Sequence, residues 1–371
     1  MIDYYIQLKG YIMHQDEIKD RAIGAIMGAF IGDAMGLGVH WYYDLAELHR
    51  DHGDWVKTYT TPKRGRYHDG MKAGELSQSG YILKLTIESL LRCDGYNHED
   101  FCSTLDKDLL PYLDAKPMSG PGGYTNQSMR EIYRQRVEQK KAWHEVGSRA
   151  DTTESIERTL ALAVRYAFAP TKLARNIAQN TRLTQVDDLV GSMSVAYGAV
   201  LGQMVQGKKL DTKISERLML LAKRGKLPFH VVTSDDLKPP SKQSNDPSNI
   251  GLFASPDALL TPSHMAKSVK DETIVIEPAW KVSLVYGMPC AIFHILPASY
   301  YLAARYTNDF ESAILHAING GGQNMARAML SGALVGAQVG FSNIPKHFID
   351  GLVEKETLLT LAEKLAQSIE A

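Results

Sequence analysis

Cysteine, charge imbalance and long apolar runs are all scarce in this chain of 371 residues. The three cysteines, Cys93, Cys102 and Cys290, are odd in number and lack metal-ligand spacing. That excludes a disulfide framework and fits a reducing compartment. Cys290 follows Pro289 in an apolar segment and reads as a core residue. Lys and Arg number 41 against 42 Asp and Glu, so there is no electrostatic footprint for nucleic acid or an anionic membrane. The apolar run Ala22 to Gly32 is eleven residues long and bounded by Arg21 and Asp33, well short of the ~20 a bilayer requires. The first twenty residues carry acids and show neither a cationic start nor a cleavable apolar segment, so a cytoplasmic location is expected. A Ser-His-Asp signature, zinc spacing and a dinucleotide GxGxxG after a strand are also missing.

What is present is a soluble, enzyme-sized composition, 44% hydrophobic and 22% charged, on a chain longer than the ~250–300 residues of a typical single core. Two rows of glycine stand out. Gly24, Gly28, Gly32 and Gly36 recur every four residues near the start, and Gly332, Gly336 and Gly340 do so near the end. Spacing of four places each row on one helix face and permits close backbone approach. Each internal helical glycine costs about 1 kcal/mol of propensity relative to alanine, so tight packing has to compensate. If the two rows pack together, the first and last Gly-row helices close the fold into one domain.

Periodicity predicts helix after helix: Asp16 to Gly36, Gln78 to Cys93, His98 to Leu113, Asn126 to Lys141, Thr152 to Phe168, Leu183 to Gln206 and Asp211 to Lys223. Strand signals are sparse. The Pro- and Ser-rich stretch 231–264 reads as a surface insertion. Beyond it, Ala279 to Arg305 is broken by Pro289 and Pro297 and predicts a kinked helix pair, followed by helices over Asp309 to Ile318, Asn324 to Val339 and Glu354 to Ile369.

The segments AIGAIMGAFIGDAMGLGVHW and YTNDFESAILHAINGGGQNMARAMLSGALVGAQVGFSNIP, together with Glu88-Ser89-Leu90, the loop SGPGGYTNQSMREI and the stretch from Asn180 to Leu210, occur in the order seen in one family. The chain resembles the ADP-ribosylglycohydrolases over roughly residues 20–352, and is most similar to the divergent branch that includes the J1 crystallins of jellyfish lenses. The resemblance implies an all-α fold: a short N-terminal extension over residues 1–15 and one large helical domain over 16–371. It also implies a cleft that takes a small ligand such as ADP-ribose or a nucleotide, and in typical members two Mg²⁺ ions.

The departures from the family are as informative as the match. Typical members hold their metals with Thr-Asp-Asp-Thr and Gly-Gly-Asp-x-Asp-Thr segments. The first aligns here with Ser77, Gln78, Ser79 and Gly80, and the second with Gly321, Gly322, Gln323, Asn324, Met325 and Ala326. All four aspartates are replaced. A glutamate often found after the first helix is His40, and the family's Asn-Gly-x-x-Met-Arg stretch becomes Asp151, Thr152, Thr153, Glu154, Ser155 and Ile156. Mg²⁺ favours carboxylate oxygens, so no metal cofactor is expected.

Glycoside cleavage commonly uses two carboxylates about an oxocarbenium-like transition state. Candidate groups for that chemistry are Asp33, at the end of the first helix, Asp69 beside His68, His40 among aromatics, and Gln323. Ser77, Gln78, Ser79, Gly321, Gly322 and Asn324 are candidate ligand contacts, the glycine N–H groups suiting an anion. So are Gly120, Gly122, Gly123 and Tyr124, in a loop that resembles the family's phosphate-contacting loop. Two functions stay open: hydrolysis of an ADP-ribosyl or related glycosidic bond without the usual dinuclear site, and a catalytically silent ligand-binding or structural role.

Overall fold

The computed structural model describes residues 2–114, 116, 125–230, 251–253 and 257–370, the side chains of residues 2–14 excepted. Its α-helices are α1 (Ile2–Leu37), α2 (Leu45–His52), α3 (Gln78–Arg92), α4 (His98–Asp108), α5 (Gln127–Tyr133), α6 (Glu154–Arg165), α7 (Pro170–Arg182) and α8 (Asp188–Val205). They continue with α9 (Ile214–Lys223), α10 (Asp257–Ser268), α11 (Val282–Tyr286), α12 (Ile292–Arg305), α13 (Phe310–Ile318), α14 (Asn324–Val339), α15 (Lys346–Asp350) and α16 (Lys355–Gln367). Extended pairing among the described residues is confined to isolated bridges, such as Thr152 with Ala291. The fold is all-α.

The two glycine rows do pack on each other. A Cβ added at Gly24, Gly28 or Gly32 would lie 2.3, 2.2 or 2.2 Å from the carbonyl oxygens of Gly336, Gly332 and Ala328. Rising numbers on α1 meet falling numbers on α14, so the helices are antiparallel and their backbones touch without intervening side chains. That contact turns the propensity cost of glycine into dispersion and burial along the whole pair. It also brings the C-terminal end of α1 beside the N-terminal end of α14, where Gly36 lies against Met325. Around this pair α8 is buried almost throughout, and Tyr197 donates to the Leu330 carbonyl at 2.7 Å.

Several boundaries differ from expectation. The helix predicted from Leu183 starts later, at Asp188: α7 ends at Arg182, and α8 follows Asp187, whose carboxylate accepts from Leu189 N–H at 2.8 Å as an N-cap. The Asn126 helix is α-helical only to Tyr133 and continues through a π-helical turn over Arg134–Glu138. Ala279 to Arg305 is broken as expected at Pro289, while Pro297 is accommodated inside α12. Helices α2, α7, α10 and α15 were not expected. Of the stretch read as an insertion, residues 257–264 belong to α10, which buries Ala258 and Leu259.

Candidate functional site

The antiparallel α1–α14 pair fixes one wall of the site. After α1 the chain turns at Trp41, which holds φ +63°, and pairs with the Gly-rich turn before α14. Trp41 N–H donates to the Gly322 carbonyl at 3.1 Å and Gly322 N–H to the Tyr42 carbonyl at 2.7 Å. Gly321 and Gly322 hold φ +65° and +60°, a left-handed pair that glycine adopts without a Cβ clash. Gln323 N–H is taken by the Met288 carbonyl at 2.8 Å, and its side-chain oxygen accepts from the Trp41 indole at 2.5 Å. Hence the N–H groups of Gly322 and Gln323 are spent within the fold, and they close the turn.

His40 is buried beneath this turn. Its Nδ1 lies 3.3 Å from Asn324 Oδ1, while Asn324 donates to the carbonyls of Val39 and Ile318 at 3.0 and 3.2 Å. Burial, with a smaller contribution from the Arg327 charge, lowers the His40 imidazole to about 3 against the opposing bond to Asn324, so the ring is neutral at physiological pH. The His68 ring packs 5.1 Å away and is also buried, whereas its chain neighbour Asp69 is exposed and accepts from Gly65 N–H at 2.8 Å to close a turn. Met325 is buried against Gly36, and Ala326 is buried beside it.

Helices α3 and α6 pack beside the C-terminal end of α1. Ser77 caps α3, its hydroxyl accepting from Ser79 N–H at 3.0 Å. The same hydroxyl donates to Asp33 Oδ1 at 2.5 Å, and Ser77 N–H donates to Oδ2 at 2.8 Å. A Cβ at position 80 would fall 2.3 Å from that carboxylate, so Gly80 is what lets Asp33 dock. Burial pushes the Asp33 carboxyl up to about 6 despite its bonds from Ser77 and Gly80. Gln78 is buried and accepts from Asn126 N–H at 3.1 Å.

Two carboxyls on α6 complete the arrangement. Glu157 is buried; Thr153 Oγ1 donates to it at 2.6 Å, Ser79 also hydrogen-bonds it, and burial raises it, with the Asp33 charge adding to the shift. Glu154 is partly exposed, and its carboxylate accepts from the N–H groups of Gln127 and Ser128, both at 3.0 Å. Burial, then the Glu157 charge, pushes it up to about 7. Cys290 is partly exposed and no core residue, a correction to the sequence reading. Its thiol is raised by burial and then by the field of Glu154, with lesser contributions from Asp151 and Glu157.

Acidity therefore gathers on α6 and at Asp33, beside the Ser77–Gly80 segment that the resemblance aligns with one pair of family aspartates: Ser79 bonds Glu157 and Ser77 bonds Asp33. Glu157 carried no signal in the sequence beyond its spacing of three from Glu154. Gly120, Gly122, Gly123 and Tyr124 lie outside the described residues. Among the described residues no group of three or more His, Cys, Asp and Glu side chains is arranged to hold a metal ion, and no helix is long and apolar enough to cross a membrane.

The described residues thus form an all-helical body closed by a glycine-packed antiparallel pair, with buried carboxyls and hydroxyls at one end of that pair. Residues 14–371 match the model of the ADP-ribosylglycohydrolase family, and the chain belongs to that family. An uncharacterized protein of Archaeoglobus fulgidus is 22% identical over 351 residues, covering 94% of this chain and 96% of that protein. The ADP-ribosylarginine hydrolase Tri1 of Serratia proteamaculans is 44% identical over 59 residues, 16% of each chain. A solved chain described as an ADP-ribosylglycohydrolase-related protein complex shares the fold, with TM-score 0.61, 19% identity, and coverage of 96% of this chain and 100% of that one.

Proposed function

We propose that this protein hydrolyses an ADP-ribosyl or related ribosyl glycosidic bond without the family's two Mg²⁺ ions, using the carboxyls of α6. The observation that carries this reading is Glu154, a partly exposed carboxyl raised to about 7 in a cluster with Glu157 and Asp33. A pKa near the operating pH suits a general acid–base group. The donor set does not fit a pair of Mg²⁺ ions. Ser77 is tied to Asp33, Gln78 to Asn126 and Gln323 to Trp41, and Met325 packs against α1. Neutral oxygens already engaged in this way do not replace four carboxylates around two dications.

In the reaction the bond from the anomeric carbon to its leaving nitrogen or oxygen breaks. Glu154 gives its proton to the leaving atom, water supplies hydroxide to the anomeric carbon, and the proton shed by that water restores Glu154. Glu157 and Asp33 supply the negative field that favours the oxocarbenium-like centre. Thr153 and Ser79 hold Glu157, and Ser77 holds Asp33. His40 and Gln323 shape the wall made by α1 and α14, the first as a neutral hydrogen-bonding ring. The expected ligand is a small molecule or modified side chain bearing ADP-ribose or a nucleotide, in the cytoplasm.

The test is release of ADP-ribose from N-linked and O-linked ADP-ribosyl peptides in the presence of chelator. Wild type is expected to turn over, and Glu154→Gln to lose about a hundredfold or more while keeping its ADP-ribose affinity. Turnover by Glu154→Gln at the wild-type rate would refute the assignment. A second reading is favoured by the engagement of Gln78, Gln323 and His40 with Asn126, Trp41 and Asn324: a silent relative that binds ADP-ribose or serves structurally, as in the J1-crystallin-like branch. It predicts binding with no turnover on either peptide.

A further inference from the structure

Helix α7 presents Thr171, Ala174, Ala178 and Arg182 at spacings of three and four residues, so they share one face. That face, with Ala222 of α9 and the chain that follows α9, lines a cavity of about 710 Å³. The volume is that of a small-molecule site. None of its lining residues belongs to the cleft. The far side is built by backbone pairing. After α9 the chain turns at Gly225, which holds φ +66°, and Lys226 N–H donates to the Leu221 carbonyl at 2.9 Å. Phe253 N–H donates to the Pro228 carbonyl at 2.8 Å, and His230 N–H to the Phe253 carbonyl at 3.1 Å. The Phe253 ring stands 5.2 Å from that of Phe229 and docks on α8 at Gly191, where an added Cβ would come within 3.3 Å of it.

The chemistry of the cavity is divided between floor and rim. Ala174, Ala222, Leu227 and Phe229 are buried and make an apolar floor. Alanine on both helices leaves depth that a larger side chain would fill. The rim is cationic: Arg175, Arg182 and Lys226 are exposed there, and no carboxylate is among the described lining residues. Arg182 is engaged by Asp188 at 2.8 Å, whereas Arg175 and Lys226 make no ion pair among the described residues. An apolar hollow edged by charge of one sign complements a ligand with an apolar body and a negative head. The flat surface that the alanines give α7 and the partly exposed Phe253 ring suit a planar body over a bulky one.

We propose that this cavity is a ligand site separate from the cleft, and that it takes a small aromatic anion. The ring of the ligand rests on Ala174, Ala178 and Phe229, and its acidic group meets Arg175 and Lys226. Neither Glu154 nor the turn between α1 and α14 takes part, so the site stands or falls apart from the hydrolase reading.

The test is fluorescence titration of the full chain with anilinonaphthalene sulfonate, an aromatic anion whose emission rises in apolar surroundings. Wild type should bind it saturably at one site, and the uncharged parent ring much more weakly. The double variant Arg175→Glu, Lys226→Glu should bind the sulfonate about tenfold more weakly, the scale of reversing two exposed charges. Ala178→Phe, which fills the hollow and leaves the charges in place, should abolish binding. Should Ala178→Phe fail to fold, the charge variant decides, since both of its positions are exposed. ADP-ribose added to the sulfonate complex should leave the probe bound. Displacement by ADP-ribose, binding that does not saturate, or wild-type affinity in either variant overturns the proposal.

Discussion

Replacing Gly28 with alanine tests the contact that closes the fold. The new Cβ would sit 2.2 Å from the Gly332 carbonyl oxygen and 2.8 Å from its carbon, against ~3.3 Å for a close C···O contact. Both partners are backbone, so no side chain can swing aside, and the helices have to part by about 1 Å locally. Overpacking of this kind costs about 1–3 kcal/mol, and a clash with a rigid helix belongs at the upper end. Alanine in a helix returns about 1 kcal/mol of propensity. The net expectation for Gly28→Ala is a loss of about 2 kcal/mol, read as a lower urea midpoint. Gly202 on α8 is the control. The nearest atom to its added Cβ is a flexible Leu173 methyl at 3.3 Å, so Gly202→Ala should be neutral or gain up to about 1 kcal/mol. Equal midpoints for Gly28→Ala and wild type would refute the close-packing argument.

Three further outcomes follow from the site. Gly80→Ala should expel the Asp33 carboxylate, which its Cβ would approach to 2.3 Å; a loss of thermal stability and of ADP-ribose binding together, seen by scanning calorimetry and titration, checks this. Asp33 and Glu154 are raised from 3.8 to about 6 and from 4.5 to about 7. As acids raised on folding, they let the unfolded chain release protons first, so their stabilisation is full below pH ~4 and is lost as pH rises towards ~7. Glu154→Gln should flatten that fall in urea titrations at pH 4.5, 6 and 7.5. Restoring aspartate at Gln78, Ser79, Gln323 and Met325 together should create Mg²⁺ binding by calorimetry, and the natural chain, titrated alongside, should show none.

The backbone pair was the most legible part of the sequence, because glycine at spacing four has one geometric use on a helix and occurred at both ends. The positions aligned with the family's aspartates were equally plain. What the sequence hid was the bonding that makes each position particular. Nothing marks Ser77 as the group that ties α3 to Asp33, or Trp41 as the partner of Gln323, since those pairs are 44 and 282 residues apart. Glu157 and Arg327 looked like ordinary helical charges, yet both are buried. Burial of a charge depends on tertiary neighbours and leaves no local pattern. The start of α8 was misplaced in the sequence reading, because helical periodicity runs on through Leu183 while the helix begins only after its cap, Asp187.

The central claim, an ADP-ribose cleft that works without paired metals, is tested most directly by calorimetric titration of the protein with ADP-ribose, once in Mg²⁺ and once in chelator. The account predicts the same dissociation constant in both buffers. Binding that appears only with Mg²⁺ would contradict it.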